Sequence, residues 1–522
     1  MKKLISLFSL ILCCCILLTA CGGSGKKGGE KAFVVPNDLM TEEEYRAEID
    51  ALLKYDTIST ADDAYLAKID DLTRRLEDMI RYNTEIPECT GTTYYVSNSG
   101  NDENDGKTPE TAWATLEKVN SYIFGKGDMV LFERGGVWRG HLYAKSDMTY
   151  SAYGEGHKPT IMNSIDGKTY GKWVQTDKEN VWKLDEKIYI TDIGVIVFNG
   201  YDNEAAYAEK VTKESQLDKN HEFIFKGSYC EEGTIDNQLY LVCEEGNPAE
   251  VFEQIEISLS EDAIECEGYL KNVHFNNLEL LFGSTPYSVG YANNIRMSYC
   301  VAGWQGGITQ GRGGARFCGG VGVLPDGDNI TTDHCYFYQQ FDSGVTPQVA
   351  WSTMDKGGPA IFENFITTDC LFEPCEYTLE YFNTQNDTTE NCFKGMYFGY
   401  NLCREGGAGV GDKAGASAYI KSWSHENTCY DCVFENNVFD RAVSWSVEVI
   451  SYKQNADGSK ELSYELMPTL RNNIYIQTEN KRFANFNTVQ YRFKESDINK
   501  IQALGIDKGS VYMIAPKTET EE

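Results

Sequence analysis

The chain has 522 residues, 41% of them hydrophobic and 24% charged, enough apolar material for a large core and too much for wholesale disorder. Its 47 Lys and Arg against 79 Asp and Glu give a formal charge of −32, a field that repels phosphate and argues against nucleic acid as a partner. Of 17 Cys, four lie at or before position 21, and the odd number beyond it cannot pair completely, so no disulfide framework is expected. Cys429 and Cys432 form a lone pair of thiols without the second pair that a zinc site needs, and read as core packing.

In chain order, Lys2 and Lys3 precede an uncharged apolar run from Leu4 to Leu18, too short and wrongly flanked for a stable membrane span. The run ends in Leu18-Thr19-Ala20-Cys21, which resembles a bacterial lipobox. That resemblance implies a signal at 1–21, acylation of Cys21, and a lipid-anchored extracytoplasmic protein at the bacterial cell surface. Residues 22–36, with Gly22-Gly23-Ser24-Gly25, supply a flexible tether. At 37–88 the pattern turns helical. Thr41 and Glu44 form a capping box, Tyr45, Ile49, Leu52 and Leu53 recur at helical spacing, and a second run carries Leu66, Ile69, Leu72, Leu76 and Met79. This helical hairpin is expected to act as a spacer holding the main domain off the membrane.

From residue 89 the chain reads as strands and glycine turns. Gly100 and Gly106 enclose five residues where a P-loop has four, and Asn101 and Ala112 stand where an EF-hand loop needs Asp and Glu. Thr111 to Phe124 is expected to form a short amphipathic helix through Trp113, Leu116, Val119 and Ile123. The order YYVSNSGNDENDGKTPETAWATL, GDMVLFERGGVWRG and SAYGEGHKPTI, over Tyr94 to Ile161, resembles the opening of secreted right-handed parallel β-helix proteins of the pectate-lyase-like superfamily. The resemblance implies that the short helix caps the N-terminal end of a β-solenoid whose first coils fall within 89–165. Residues 166–262 break the pattern and read as a β-rich, antiparallel insertion.

The coils at 263–480 have an argument of their own. The strands NVHFNNLEL, NIRMSYCVA, NITTDHCYF, FITTDCLFE, MYFGYNLCR, YDCVFENNVF and TLRNNIYI align on Asn277, Cys300, Cys335, Cys370, Asn401, Asn437 and Asn473, spaced 23 to 36 residues apart. Self-similarity at that period marks a solenoid. Stacked coils about 4.8 Å apart would set amide upon amide and thiol upon thiol. The fold class expected is thus all-β, a right-handed parallel β-helix with an N-terminal helical hairpin, a capping helix, a β insertion and a C-terminal extension at 481–522.

No HExxH, GxSxG elbow or βαβ dinucleotide loop is present, which removes the main supports for zinc proteolysis, α/β-hydrolase and nicotinamide chemistry. Carboxylates and aromatics on an extended β face remain, a surface suited to sugar rings and acid/base work. Aligning GVTPQ, YTLEYF, GVGDK and WSVEVI places Val345, Leu379, Val410 and Val447 inward and Thr346, Glu380, Gly411 and Glu448 outward. Glu380 and Glu448 would then stand about two coil rises, roughly 9.5 Å, apart with Gly411 leaving room between them, which is inverting-glycosidase spacing. Asp342, Glu380 and Glu448 are the candidate catalytic residues. YQQFDSGVTPQ and CEYTLEYF resemble motifs of the glycosidase-like relatives, which implies acidic catalysts at these places. Trp304, in a Trp-Gln-Gly-Gly turn read as a cleft wall, joins Gln348, Phe382, Lys413 and Arg441 as candidate substrate-binding residues. The reading is a glycoside hydrolase acting on polysaccharide without cofactor or metal. Two alternatives stand beside it: a pectate-type lyase using a Lys or Arg base, and a non-catalytic glycan-binding or structural protein.

Overall fold

The computed structural model describes residues 33–517 except 231–233, 267, 310–315, 324–326, 350–360, 384–391, 412–416, 424–426, 456 and 458. Residues 1–32, with Cys21 and the lipobox, lie outside the described residues, as does Lys413.

The body of the molecule is a parallel β-helix. One sheet runs from Thr93–Val96 through Met129–Glu133, Met148–Tyr153, Leu270–Asn276, Ala292–Ser298, Asp328–Asp333, Ile361–Thr368, Tyr397–Gly399 and Val433–Glu435 to Thr469–Arg471, every neighbour parallel. A second runs from Thr160–Asp166 through Glu279–Phe282, Val301–Gly303, Tyr336–Val349, Leu371–Asn383, Leu402–Arg404, Val438–Asp440 and Ile474–Thr478 to Val511–Ala515, again all parallel. Alternation decides which side chains enter the core. In Ala292–Ser298, Ile295 and Met297 are buried while Arg296 faces out and forks onto Asp333. The interior is stacked coil on coil. Phe337 lies on Phe372 with ring centroids 5.0 Å apart, and Phe439, Tyr475 and Tyr512 succeed one another at 5.3 and 5.4 Å.

The ladder occupies the corner between these sheets. Asn277, Cys300, Cys335, Cys370, Asn401, Asn437 and Asn473 are all fully buried. Asn401 Nδ2 donates to Asn437 Oδ1 at 3.1 Å, Asn437 Nδ2 to Asn473 Oδ1 at 3.0 Å, and the backbone N–H of Cys370, Asn401 and Asn437 each donates to the amide oxygen one coil on. The residue before the ladder position takes a left-handed φ in coil after coil, at Tyr299, His334, Asp369, Tyr400, Asn436 and Asn472. Such a conformation costs side-chain-bearing residues energy. The corner is maintained by the next residue along, a buried amide or thiol that completes the hydrogen bonds of the turn.

The helical pair is not a spacer. Helix α1 (Glu42–Leu52), opened by the Thr41/Glu44 capping box, and helix α2 (Asp63–Arg81) lie along the outer face of the second sheet. Tyr45, Ile49, Leu72 and Leu76 pack with Tyr336, Leu371, Leu402, Val438 and Ile474, which the alternation of the second sheet turns outward. Tyr45 Oη donates to the Tyr400 carbonyl, Arg46 forks onto Asp369, and Arg404 bridges Asp70 and Asp440. Between the helices Ile58–Thr60 joins the second sheet as a parallel neighbour of Val511–Ala515. The apolar faces of both helices are spent on the solenoid, and neither remains for a free-standing hairpin.

The N-terminal helix is shorter than expected, α3 at Leu116–Ser121, capped by Thr115. Trp113 precedes it and stacks on Tyr94, whereas Ile123 is 92% exposed and takes no part in the cap. Residues 166–262 form a mainly antiparallel β unit with its own core of Trp173, Ile196, Phe198, Phe223 and Leu241. Residues 481–515 of the expected C-terminal extension belong to the solenoid: Arg482–Phe486 and Val511–Ala515 are coil strands, and helix α4 (Glu495–Ala503) turns its Ile498 and Ile501 into the core.

Candidate active site

Six strands position the residues of interest: β1 (Val321–Val323), β2 (Tyr336–Val349), β3 (Leu371–Asn383), β4 (Ala418–Ser422), β5 (Trp445–Val449) and β6 (Arg482–Phe486). Their register gives an inward column of Val321, Val345, Leu379, Ile420, Val447 and Ala484. One residue on, the outward column reads Gly322, Thr346, Glu380, Lys421, Glu448 and Asn485. Val345, Leu379 and Val447 are where the sequence puts them, but Ile420 takes the place given to Val410, and Lys421 that given to Gly411. The alignment on GVGDK misses because the coil between β3 and β4 carries an extra turn. Gly409–Gly411 forms a short 3-10 segment set against β2, where a Cβ on Gly411 would stand 2.5 Å from the Phe341 carbonyl oxygen.

The consequence for Glu448 is direct. It still lies two coils from Glu380, but Lys421 fills the coil between and bonds the Glu448 carboxylate, whose other oxygen accepts from Asn485 Nδ2 at 3.0 Å. An ammonium stands where an attacking water and sugar were expected. The inverting Glu380/Glu448 pair therefore loses its opening.

Glu380 is 5% exposed and held by three side chains. Ser343 Oγ and Thr346 Oγ1 donate to Oε2 at 2.9 and 3.2 Å, and Trp423 Nε1 donates to Oε1. An indole N–H can only donate, so Oε1 accepts. Trp423 also lies 4.5 Å from the Lys421 ammonium and edge-on to Tyr377. Gln348 Nε2 donates to Thr346 Oγ1 at 2.6 Å, and Phe382 is its register partner on β3, so both belong to this neighbourhood.

Asp342 reaches the same place through a bulge. Gln340 pairs with Cys375 and Ser343 with Tyr377, so Phe341 and Asp342 together oppose Glu376. A bulge of this kind re-aims side chains. Asp342 is 7% exposed and Glu376 fully buried. Both act with Glu380 on the Tyr377 hydroxyl: burial raises it well above the usual tyrosine range, and the charges of Glu376, Asp342 and Glu380 raise it further. Asp342, Glu376 and Glu380 thus converge on one tyrosine. Glu376 was not singled out from the sequence, although it sits in CEYTLEYF. The two acids four apart in CEYTLEYF, Glu376 and Glu380, are the signal in the sequence that points to it.

Two other expected residues lie elsewhere. Trp304 is fully buried, packed under the 166–262 unit with Nε1 donating to the carbonyls of Tyr201 and Asp202, and forms no cleft wall. Arg441 forks onto Asp440 at the corner beneath α2, paired with the Arg404 network rather than the carboxylate cluster.

No family model matches the chain. A lacto-N-biosidase of Bifidobacterium longum subsp. longum is 34% identical over 109 residues, 19% of this chain and 7% of that protein, so the match spans a small part of the relative's length. Among solved structures, one titled a glycoside hydrolase superposes with a TM-score of 0.41 at 10% identity over 82% of this chain and 98% of that one. The GH136 lacto-N-biosidase from Eubacterium ramulus gives 0.33 at 14% identity over 93% and 81%. Agreement at these scores is loose, and the solenoid architecture rests on the strand registers.

Proposed function

We propose that the chain is a glycoside hydrolase whose active site is the Asp342–Glu376–Glu380 cluster. The observation that carries this is proximity: Ser343, next to Asp342, bonds Glu380 and pairs with Tyr377, next to Glu376, so three buried carboxylates from two adjacent coils lie about one tyrosine beside Trp423. Glycosidic cleavage needs two carboxyl groups flanking the bond, one donating a proton to the leaving oxygen and the other acting as base or nucleophile. Glu380, clasped by Ser343, Thr346 and Trp423, is the fixed acceptor, and Asp342, delivered by the bulge, is the proton donor. Trp423, 37% exposed, offers a ring against which a sugar can pack. The similarity of 109 residues to a lacto-N-biosidase supports a glycan substrate. Among the described residues, the cationic bases required for a lyase find less support: Lys421 is bonded to Glu448, and Arg404 and Arg441 are paired with Asp440 away from the cluster, while Lys413 lies outside the described residues. Cys21 acylation and surface location complete the reading; detergent-phase partitioning of the wild type, lost in Cys21→Ala, tests that part.

The experiment is a product analysis on a panel of neutral and acidic oligosaccharides. New reducing ends without ultraviolet-absorbing unsaturated ends are expected, with Glu380→Gln slowing release at least about a hundredfold. Unsaturated ends mean a lyase, and an unimpaired Glu380→Gln variant rejects the site.

A further inference from the structure

Where helix α1 meets the corner of the solenoid, three acceptors gather on one point. Glu42, in the first turn of α1, lies against His334 and Asp369, which hold the left-handed corner positions of two successive coils just before Cys335 and Cys370. His334 is 5% exposed, its ring stacked on Tyr299 with centroids 4.7 Å apart. Its Nδ1 stands 3.0 Å from Asp333 Oδ1, and the Asp333 carboxylate is forked by Arg296. An ionised carboxylate only accepts, which assigns the proton of the neutral ring to Nδ1 and leaves Nε2 as a bare lone pair. Nε2 is buried and faces Glu42 Oε2 at 3.5 Å, yet has no hydrogen bond among the described residues. Arg46 does not close this gap. It takes Glu42 Oε1 and both oxygens of Asp369, and Thr368 Oγ1 donates to Asp369 Oδ2. A carboxylate has about four acceptor sites, so Asp369 keeps one and Glu42 keeps Oε2. Glu42, His334 and Asp369 each offer a ligand atom, all within 4.8 Å of one another.

We propose that Glu42, His334 and Asp369 bind a zinc-type divalent cation that fastens helix α1 to the solenoid, a site the sequence reading, with no metal expected, did not foresee. One imidazole nitrogen with two carboxylate oxygens is a donor set for zinc, whereas magnesium and calcium take oxygen throughout. Ligand atoms about 2.0–2.2 Å from one tetrahedral ion lie roughly 3.5 Å apart. His334 Nε2 and Glu42 Oε2 already stand at that separation. The Asp333–His334 pair is the carboxylate–histidine arrangement that orients a ligating ring and raises its basicity. His334 and Asp369 are buried and fixed by the corner, while the Glu42 side chain, 46% exposed, gives the ion its way in and can swing to complete the site. The fourth position then falls to water. The site precedes the strands that carry Asp342 and Glu380 and shares no residue with their carboxylate cluster, so its role is to attach the helix and it stands whether or not the active-site reading does.

The test is titration of the full chain, first freed of metal with a chelator, by Zn²⁺ in a calorimeter and by Co²⁺ in an absorption spectrometer. Uptake of Zn²⁺ that Mg²⁺ and Ca²⁺ do not displace is expected, and the Co²⁺ spectrum should show bound metal without a thiolate charge-transfer band, which separates this site from the cysteines. Glu42→Gln and His334→Asn should each weaken Zn²⁺ binding at least about tenfold. Asn holds the same left-handed corner position at Asn436 and Asn472, so His334→Asn keeps the backbone conformation, and Glu42→Gln changes an exposed side chain and serves should the buried variant fold poorly. Zn²⁺ should also raise the melting temperature of the wild type and leave that of either variant unmoved. No measurable uptake, Co²⁺ bound through thiolate, or an affinity unchanged in Glu42→Gln or in a folded His334→Asn overturns the proposal.

Discussion

Two columns of side chains run up this solenoid, and they obey different rules. The ladder from Asn277 to Asn473 points inward, where a run of three thiols, Cys300, Cys335 and Cys370, gives way to a run of three amides, Asn401, Asn437 and Asn473, each stacked on the next. The outward column of Thr346, Glu380, Lys421, Glu448 and Asn485 alternates in charge, and each member finds a partner unlike itself. The inner column is a device of structure and tolerates little. The outer one is bound by no packing identity, and there chemistry can diverge from coil to coil.

The harshest way to break the comparison is to put a charge in the inner column. Cys335 is fully buried, its Sγ donating to the Asp333 carbonyl at 3.2 Å, and its backbone N–H donates to Cys370 Sγ at 3.4 Å. Cys335→Lys should abolish folding, because an ammonium buried among thiols and apolar side chains is left without its hydration. Recovery of a soluble, cooperatively melting variant would mean the corner is far looser than its hydrogen bonds imply.

The next effect is a matter of pH. His274, on the first sheet, is pushed down to about 4 by burial and by Arg296, with Asp333 opposing. Its folded value lies below its unfolded one, so the unfolded chain binds the proton more readily between about 6.5 and 4. His274 therefore contributes stability above pH 6.5 that is lost as the pH falls through that window, up to about 3 kcal/mol. Asp262 acts in the opposite sense, since burial and Glu265 raise it to about 7 and its share of stability is lost as the pH rises from 4 to 7. The difference between wild type and His274→Gln isolates the histidine: denaturant midpoints should converge as the pH drops. Parallel curves would show that His274 is protonated in the fold at no cost.

A gentler change inside the ladder sharpens the same point. Cys335→Ala should cost about 1 kcal/mol in chemical denaturation, since a small atom is lost and the Cys300 and Cys370 neighbours are themselves small. A loss several times larger would assign the thiol a hydrogen-bonding role equal to that of the asparagines.

Legibility in the sequence divides along the same line. The ladder could be read because stacking forces like residues into like places, and a 31- to 36-residue repeat then reveals itself at Cys335, Cys370, Asn401, Asn437 and Asn473. The outward column was half legible. Glu380 and Glu448 were found, but the inserted turn at Gly409–Gly411 moved the register and hid Lys421, because nothing in an outward position repeats. Glu376 stayed hidden for a related reason: its convergence with Asp342 depends on a bulge, one extra residue that no periodicity predicts. The helices at 42–81 were legible as helices by their spacing, but not their docking, since an amphipathic face states that it needs a partner and not which one.

The smallest effect concerns the ion pair that displaced the expected catalytic one. Lys421 is 8% exposed, bonded to Glu448 and set over Trp423. Its register neighbour on the other side is Glu380. Glu448 thus holds the ammonium away from the proposed catalytic carboxylate. In Glu448→Gln the carboxylate nearest along the column is Glu380 itself, and Lys421 should turn to it, competing with the Trp423 and Thr346 hydrogen bonds. Hydrolysis should then fall by a few fold, far short of the hundredfold expected for Glu380→Gln. Lys421→Met in the same chain removes the competitor, so the double variant should regain most of the lost rate, a coupling that a double-mutant cycle reads directly. A hundredfold loss in Glu448→Gln that Lys421→Met leaves untouched would return Glu448 to the chemistry and make Lys421 part of the substrate's environment instead of a charge kept at bay.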